Sequence, residues 1–449
     1  MENAGNVVSN FVGSCKRMSM VRRENKYNLE GRKLLIVGAS GHFIPAVVCA
    51  NRLGAHTIAV NYADDAIAKQ YASESAEVDT YNFDELLDFA QTKQVDGVFA
   101  SWNENNLFAA EYVARNMGLP FYGTKEQLDS LVKKDDFKAT CRKYKVPTVP
   151  EYYTGSKLTE DITERFEYPV IVKPTDSGGT RGMTILYDSI GLEQACAKAI
   201  EASLEKKIII EKYLRDTKLI VIDFAVQNGN AYLATVADRI TVRESEDRVP
   251  LGFCFMYPSE YIDMVYEQVM DPLKRMIGGL RIRNGIISFE GMISDGKLYI
   301  IECQFRFGGT HIDNIVRLET GIDLMQMMIE LSLTGKFDTW RLEGNLEPRH
   351  LTVRACQNLQ LNPGKISYIG GVDEVKKLDN VDWLIPLKQL GDNVVADGST
   401  ARNFCKIGLS GATRKELYIQ MDRIQKMLDI RDENGENMVI RNVPQKLCR

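Results

Sequence analysis

The chain has 449 residues, of which 44% are hydrophobic and 26% are charged, and this composition excludes a disordered protein. Its formal net charge of −5 gives no sign of a nucleic-acid-binding surface. Since no apolar run approaches the roughly 20 residues that cross a bilayer, we expect no membrane partner. At roughly 150 residues per domain, the length predicts about three domains.

Cysteine usage and the N-terminus indicate the compartment. The nine cysteines are scattered singly without a Cys-x-x-Cys pair, and there are only four histidines. This favours a reducing cytoplasm and supports neither a disulfide framework nor a zinc site. At the N-terminus, basic residues follow the weakly apolar part, which is the wrong order for a secretory signal. We interpret residues 1–30 as an exposed leader.

The first folded part alternates strands with helices. Residues 34–37 form a continuous apolar run, as in a buried parallel strand, and a glycine turn and a helix follow. A second unit contains a helix from about Phe83 to Gln94 and a further strand. This alternation predicts a doubly wound α/β domain. Gly38 and Gly41 match a dinucleotide fingerprint only loosely, so a tight turn that opens a helix is the favoured interpretation.

The remaining elements change character along the chain. A basic helix ends at Val146-Pro147, and two strands then flank a glycine-rich loop in an α+β module of about 75 residues. Residues 219–305 are rich in strands with short hairpin turns, and a buried helix that Gly335 closes comes next. Beyond about residue 345 the chain resumes strand character and ends in a long helix.

The stretch "KPTDSGGTRG" suggests a phosphate-binding loop. Lys173 ends a strand, and three glycines follow it. Glycine exposes backbone N–H groups and allows close approach to an oligophosphate, although the spacing is not that of a P-loop. A flexible hairpin remains the alternative for this loop.

The stretch "IIECQFRFGGTH" places polar side chains on one face of a strand. Glu302, Gln304 and Arg306 alternate with apolar residues, and a short Asp-Gly turn joins this strand to the one that carries Glu290. Two carboxylates on adjacent strands repel unless a cation such as Mg²⁺ lies between them. A surface acid pair that Arg306 neutralises is the alternative.

The order and spacing of these motifs resemble the ATP-grasp superfamily over roughly residues 33–340. Lys134, Lys173, "IIIEKYL", Glu290 and "ECQFRFGG" carry the resemblance, and "GGTHIDNIVRLETGIDL" is similar to ligases that join an amino acid or other carboxylate to an amine. The resemblance implies an α/β ATP-grasp fold. Its expected parts are the N-terminal leader 1–30, a doubly wound pre-ATP-grasp domain 31–135, an α+β lid subdomain 136–213, a central antiparallel-sheet subdomain 214–344 and a C-terminal α+β region 345–449.

The resemblance also implies residue roles. ATP would contact Lys134, Lys173, Ser177, Gly178, Gly179, Arg181, Glu211, Lys212, Tyr213 and Leu214. Residues 211–214 would form the hinge that holds the adenine, with a backbone donor and acceptor from Tyr213 and Leu214. Magnesium or manganese would be held by Glu290, Glu302 and Gln304. Arg306 and Arg239 would be catalytic, and Gly308, Gly309 and His311 would face the substrate.

Several of these roles have alternatives. Arg239 is equally well explained as a surface charge, and His311 as a hydrogen-bonded structural histidine. Gln304 stands where the family has asparagine, which lengthens the metal contact by one methylene. No acid occupies the usual ribose-binding place, and Asp216 and Asp223 are the two candidates to replace it.

The implied reaction is amide formation driven by ATP. ATP would phosphorylate a small-molecule carboxylate, and an amine would displace the phosphate. A carboxylating or carbamoyl-phosphate-forming enzyme and a nucleotide-binding protein without turnover remain alternatives. Among assemblies, a homodimer is the commonest.

Overall fold

The N-terminal part contains a parallel sheet. The computed structural model describes residues 26–175, 182–242, 251–395 and 400–444. The sheet order is β3-β2-β1-β4, with β1 Lys33–Val37, β2 His56–Val60, β3 Glu74–Ala76 and β4 Gly97–Ala100. Its helices and helical turns are Gly41–Phe43, Ile44–Arg52, Ile67–Tyr71, Phe83–Lys93, Glu104–Met117 and Lys125–Val132. The prediction of a doubly wound parallel domain is confirmed.

The predicted basic helix is two helices. The second, Lys134–Tyr144, starts directly after Lys133, whose extended backbone (ψ 125°) separates it from Lys125–Val132. Two acids in the first turn, Asp135 and Asp136, favour a helix start there because they face the positive end of its dipole. Lys134 therefore opens a helix and is not embedded in one.

A second, four-stranded sheet has the order β5-β8-β6-β7 and only antiparallel pairs. Its elements are β5 Glu151–Gly155, helix Glu160–Thr163, β6 Val170–Pro174, β7 Thr184–Leu186, helix Leu192–Ala202 and β8 Ile208–Lys212. The loop between β6 and β7 contains residues 176–181, which lie outside the described part of the chain.

One eight-stranded antiparallel sheet forms the rest of the framework, in the order β13-β12-β9-β10-β11-β14-β18-β16. Its strands are β9 Lys218–Gln227, β10 Asn230–Val242, β11 Leu251–Tyr257, β12 Gly285–Ser294, β13 Lys297–Gln304, β14 Arg354–Gln360, β16 Val381–Pro386 and β18 Asn403–Ser410. Three further strands are β15 Gly364–Gly370, β17 Asn393–Val394 and β19 Asp429–Asp432. A small sheet, β17-β15-β19, lies beside it. Strands on both sides of the predicted boundary at residues 344/345 thus share one sheet.

The helices of this part complete the core. They are Ile262–Met264, a wider π turn Val265–Val269, Met270–Gly279, Ile312–Thr320, Leu324–Thr334, Pro348–His350, Val372–Lys376, Thr400–Arg402 and Arg414–Met427. As predicted, Gly335 closes Leu324–Thr334 in the left-handed conformation. The largest apolar cluster runs from Leu34 in β1 through Phe289 in β12 to Met328, so the parallel sheet and the large sheet share one core.

Part of the predicted leader packs onto the rest of the protein. Lys26 and Tyr27 bond to Asp338, and Leu29 is buried in the core. Residues 1–25 lie outside the described residues. None of the helices in the described ranges combines the length and apolar character that a membrane crossing requires.

Candidate nucleotide and metal site

The two predicted metal-binding carboxylates face each other across a strand pair. Glu290 on β12 is directly opposite Glu302 on β13, and the register shifts immediately after this position. The Glu302 side chain is exposed to solvent, but it lies in a cleft whose walls surround it on most sides. This enclosure and the charge of Glu290 raise the pKa of the Glu302 carboxyl above its ordinary value. The pair therefore opens onto a cleft, where a cation can approach it.

Arg239 lies beside this pair. Its guanidinium, on β10, forms an ion pair with Glu290, and its Nε is buried without a partner. Arg239 is thus held in the site, and the interpretation as an isolated surface charge is not supported by its contacts.

The donor set fits a magnesium ion that arrives with phosphates. In the described ranges, no group of three or more His, Cys, Asp or Glu side chains is arranged to hold a metal by itself. Two carboxylates are what Mg²⁺ needs when phosphate oxygens and water complete its octahedron. Gln304 can add an amide oxygen, and Gly308 makes room for it, because a Cβ on Gly308 would lie 3.0 Å from Gln304 Oε1.

A pocket of about 250 Å³ lies between the second sheet and the edge of the large sheet. Its lining residues are Lys138, Val149, Ile171, Lys173, Met183, Glu211, Lys212, Tyr213, Leu214, Thr217, Met292, Ile300 and Ile301. Apolar walls with a few charged groups at one side suit a flat heterocycle that carries phosphates.

Glu211 is the buried centre of this pocket. Its carboxylate is 3% exposed and forms ion pairs with both Lys173 and Lys138. Lys138 is also 3.5 Å from a carboxylate oxygen of Glu151. The sequence did not single out Lys138, although it lies four residues after Lys134 and hence on the same face of the helix.

The pKa of Lys173, a predicted phosphate contact, is strongly lowered in the pocket. Burial, and then the charges of Lys138 and Lys134, lower the pKa of Lys173 to about 7, while its ion pair with Glu211 favours the charged form. The charge of Lys134 also affects the pKa of Glu302. The structure therefore brings Lys134, Lys173, Glu211 and Glu302 together.

The predicted hinge is partly occupied by the chain itself. The backbone N–H of Tyr213 donates to Pro169 O (2.8 Å), and that of Lys212 donates to Pro150 O (2.9 Å). The Lys212 ammonium is 3.3 Å from Glu167. The donor expected from Tyr213 is engaged within the chain, whereas Leu214 lines the pocket.

The two candidate ribose acids are placed differently. Asp223 is fully buried, where it accepts hydrogen bonds from Thr235 Oγ1 (2.7 Å) and from Ser288, and burial raises its pKa to about 6. Asp223 therefore cannot reach a ribose. Thr217, next to Asp216, lines the pocket.

Arg306 connects the large sheet to the N-terminal domain. It is 6% exposed and donates to Phe307 O (2.8 Å) and to Glu104, at the start of the helix after β4. Its Nε is buried without a partner. The predicted alternative, in which Arg306 neutralises the acid pair, does not match this contact with Glu104.

The double glycine is held from both sides. Trp102 Nε1 donates to Gly308 O (3.1 Å), and Lys406 Nζ donates to Gly309 O (2.8 Å). Neither Trp102 nor Lys406 was singled out from the sequence.

His311 lies in a buried aromatic cluster. It is fully buried with φ 50°, and its Nε2 is 3.0 Å from His42 Nδ1. Its ring also packs near Trp102 and Trp383, with centroids at 5.8 and 5.6 Å. These contacts agree with the structural-histidine alternative, and a substrate contact for His311 stays a prediction.

Four predicted loop residues, Ser177, Gly178, Gly179 and Arg181, lie outside the described residues. Their phosphate-binding role stays a prediction.

A family model matches the part of the chain that carries most of the candidate site. Residues 133–339 match the family model described as the ATP-binding domain of the carbamoyl-phosphate synthase L chain. The carbamoyl phosphate synthase large chain of Archaeoglobus fulgidus is 23% identical over 340 residues, which are 72% of this chain and 31% of that relative. The chain thus spans under a third of the length of that relative.

Solved structures extend the similarity to most of the chain. The L-amino acid ligase from Bacillus licheniformis matches with a TM-score of 0.72 at 19% identity, covering 90% of this chain and all of that one. The biotin carboxylase domain of 2-oxoglutarate carboxylase from Hydrogenobacter thermophilus, a dimer in complex with MgADP, also matches with a TM-score of 0.72. It is 16% identical and covers 92% of this chain and 97% of that one. The fold and the ATP-binding domain matched over residues 133–339 support an ATP-grasp superfamily member.

Proposed function

We propose that this protein is an ATP-dependent ligase that activates a carboxylate as an acyl phosphate and joins it to an amine. One observation carries the proposal: Glu290 and Glu302 lie on the two strands that also line the pocket, the charge of Glu302 acts on Lys173 in that pocket, and Arg239 pairs with Glu290. This arrangement suits phosphoryl transfer from a magnesium-bound nucleotide, because such catalysis needs positioning and charge neutralisation.

Different residues of the cleft bind the adenine, the phosphates and the metal ion. The pocket around Glu211 and Leu214 holds the adenine, and Lys134 and Lys173 contact the phosphates. Glu290, Glu302 and Gln304 hold magnesium, which neutralises phosphate charge when it is bound. Arg239 and Arg306 supply further positive charge near the phosphoryl group in transit.

The reaction balances without a nucleophile from the protein. A substrate carboxylate oxygen attacks the γ-phosphorus of ATP, and ADP leaves. The amine then attacks the acyl carbon, inorganic phosphate leaves with the bonding electrons, and the amine loses a proton.

The cysteines of the described ranges are poor candidates for a nucleophile, which agrees with a reaction that uses none from the protein. They are buried, and burial raises the pKa of each thiol: Cys49, Cys141, Cys196, Cys254, Cys303, Cys356 and Cys405. A thiol held in this way is a poor nucleophile, since the thiolate is the reactive form.

The likeness to the Bacillus ligase supports an amino acid as one substrate. The carbamoyl phosphate synthase relatives favour a second candidate, in which bicarbonate is the carboxylate that ATP phosphorylates. By analogy with the Hydrogenobacter neighbour, we also propose a homodimer.

The test measures ADP and phosphate release with Mg²⁺ and ATP while carboxylates and amines are varied in pairs. The ligase requires a carboxylate and an amine together, and mass spectrometry then finds the amide product. Hydroxylamine in place of the amine would yield a hydroxamate from the acyl phosphate. Bicarbonate that replaces every organic carboxylate would establish the second candidate. Nucleotide binding without release for any pair would refute both.

A further inference from the structure

Lys406 is a buried cation that forms no ion pair with the described residues. It lies in the middle of β18 and is 3% exposed. Across the described ranges, no carboxylate lies within ion-pair distance of its ammonium. Burying an unpaired charge costs several kcal/mol unless a partner compensates for it.

The hydrogen bonds of Lys406 leave part of its donor capacity unused. An ammonium group has three N–H donors. Gly309 O, at 2.8 Å, is the one acceptor in hydrogen-bond range within the described chain. The ammonium also lies 5.4 Å from the centroid of the Phe255 ring, which offers weak compensation.

Other buried polar atoms near this position lack partners too. Asn358 lies directly opposite Lys406 on β14, is 4% exposed, and has an unpaired Oδ1, although its Nδ2 donates to Gly252 O (2.6 Å). Thr310, next to Gly309, is 2% exposed with an unpaired Oγ1. Unsatisfied buried groups of this kind call for a ligand or ordered water.

Lys406 lies next to the proposed reaction centre. Phe255, beneath its ammonium, is directly opposite Arg239 in the β10–β11 pair. The charge of Arg239, after burial, lowers the pKa of Lys406, so the two cations are close. Arg239 forms an ion pair with Glu290 and Arg306 forms one with Glu104, whereas no carboxylate of the described residues pairs with Lys406.

We infer that Lys406 binds a substrate carboxylate that is not activated and that remains ionised through the reaction. Either the activated substrate then carries a second carboxylate, or the substrate that supplies the amine carries one. This inference rests on the proposed function. It assigns a specificity role to the C-terminal region, since β14 and β18 lie beyond residue 345. The substrate class is therefore a dicarboxylate, or an amino acid that supplies the amine.

The test is a binding experiment, so it does not depend on turnover. Dissociation constants are measured by calorimetry with Mg²⁺ and a non-hydrolysable ATP analogue for three matched pairs: succinate and succinamate, aspartate and asparagine, glycine and glycinamide. For at least one pair we expect the probe with the extra carboxylate to bind wild-type protein about 10-fold tighter or more. Lys406→Met should reduce that preference to under about 2-fold, and Lys406→Arg should keep much of it.

The controls separate a binding role from a structural one. Lys377→Met removes an exposed lysine near β16 and should keep the preference. If Lys406 only holds the Gly309 turn, Lys406→Met will weaken both members of a pair equally. That result, or wild-type protein with no preference in any pair, would overturn the inference.

A structure of wild-type protein with the preferred probe decides the matter if the variants fail to fold. A carboxylate within hydrogen-bond distance of Lys406 Nζ supports the inference, and its absence there refutes it. If the ligase assay fails while the preference depends on Lys406, the proposed reaction is wrong and the carboxylate site stands.

Discussion

Glu290 and Glu302 lie directly opposite each other on paired strands, and Arg239 forms its ion pair with Glu290. Glu302 therefore faces the cleft as the less compensated acid, and its pKa is raised. Removal of Glu302 should affect metal binding more than folding, because no ion pair within the described residues depends on it.

We predict that Glu302→Gln lowers ATP-dependent phosphate release at least about 100-fold, because the metal contributes several kcal/mol to phosphoryl transfer. The neutral variant keeps the shape of the side chain and relieves the repulsion with Glu290, so the midpoint of thermal unfolding should stay the same or rise. Steady-state kinetics over a range of Mg²⁺ concentrations and thermal denaturation measure the two effects.

Glu343→Gln is the matched control, since Glu343 is exposed and, among the described residues, forms its ion pair with the exposed Arg341. It should leave both the rate and the unfolding midpoint unchanged. Full activity of Glu302→Gln would contradict the metal role of Glu302.

The next prediction concerns Lys138, the buried partner of Glu211. Lys138→Met leaves Glu211 with Lys173 alone, so we expect a loss of about 1–3 kcal/mol in the free energy of unfolding and weaker nucleotide binding. Chemical denaturation and nucleotide titration provide the measurements. Lys143→Met changes an exposed lysine of the same helix and should have little effect on either. Unchanged stability in Lys138→Met would show that Lys173 suffices to compensate for Glu211.

The strand and helix pattern of the chain could be predicted because it depends on local periodicity. The apolar run at residues 34–37, the Gly335 helix end and the Glu290–Glu302 hairpin all follow from neighbouring residues. The helix break at Lys133 was missed because the residues on both sides of it favour a helix, so the segment reads as one continuous helix. The eight-stranded sheet that passes residue 345 was missed because pairing between distant strands, such as β11 with β14, leaves no local signal.

The candidate site shows the same limit. The motif residues on β8, β12 and β13 come together as the sequence predicted. Their partners did not emerge, because Glu104, Lys138 and Lys406 come from three separate parts of the chain. Two of them left a signal: Lys138 lies one helical turn after Lys134, and Lys406 interrupts the apolar strand "NFCKIGLS".

Nucleotide affinity should depend on pH through Lys173. Its pKa is lowered to about 7 in the free protein, and bound phosphates would raise it, so binding favours the protonated form. Affinity should be constant below pH 7 and fall above it, by at most about 10-fold per pH unit, until the pKa of the complex is reached. Equilibrium binding of an ATP analogue between pH 6 and 9 measures this. Lys173→Arg, which stays charged, should remove the decline, and a decline that persists in this variant would assign it to another group.

Acid stability should depend on His311, which is fully buried, and on the partly buried His42 beside it. Burial lowers the pKa of His311 well below its ordinary value, and that of His42 to about 3, so both are neutral when folded. The unfolded chain binds protons below about pH 6.5, and the free energy of unfolding therefore falls as pH drops from 6.5, by up to about 1.4 kcal/mol per pH unit for each histidine. Urea denaturation at pH 5, 6 and 7 should show this slope, and His311→Gln should reduce it by one proton's share even where it lowers stability at pH 7. His350 is exposed to solvent, so His350→Gln is the control. An unchanged slope in His311→Gln would mean that His311 is not held neutral in the folded protein.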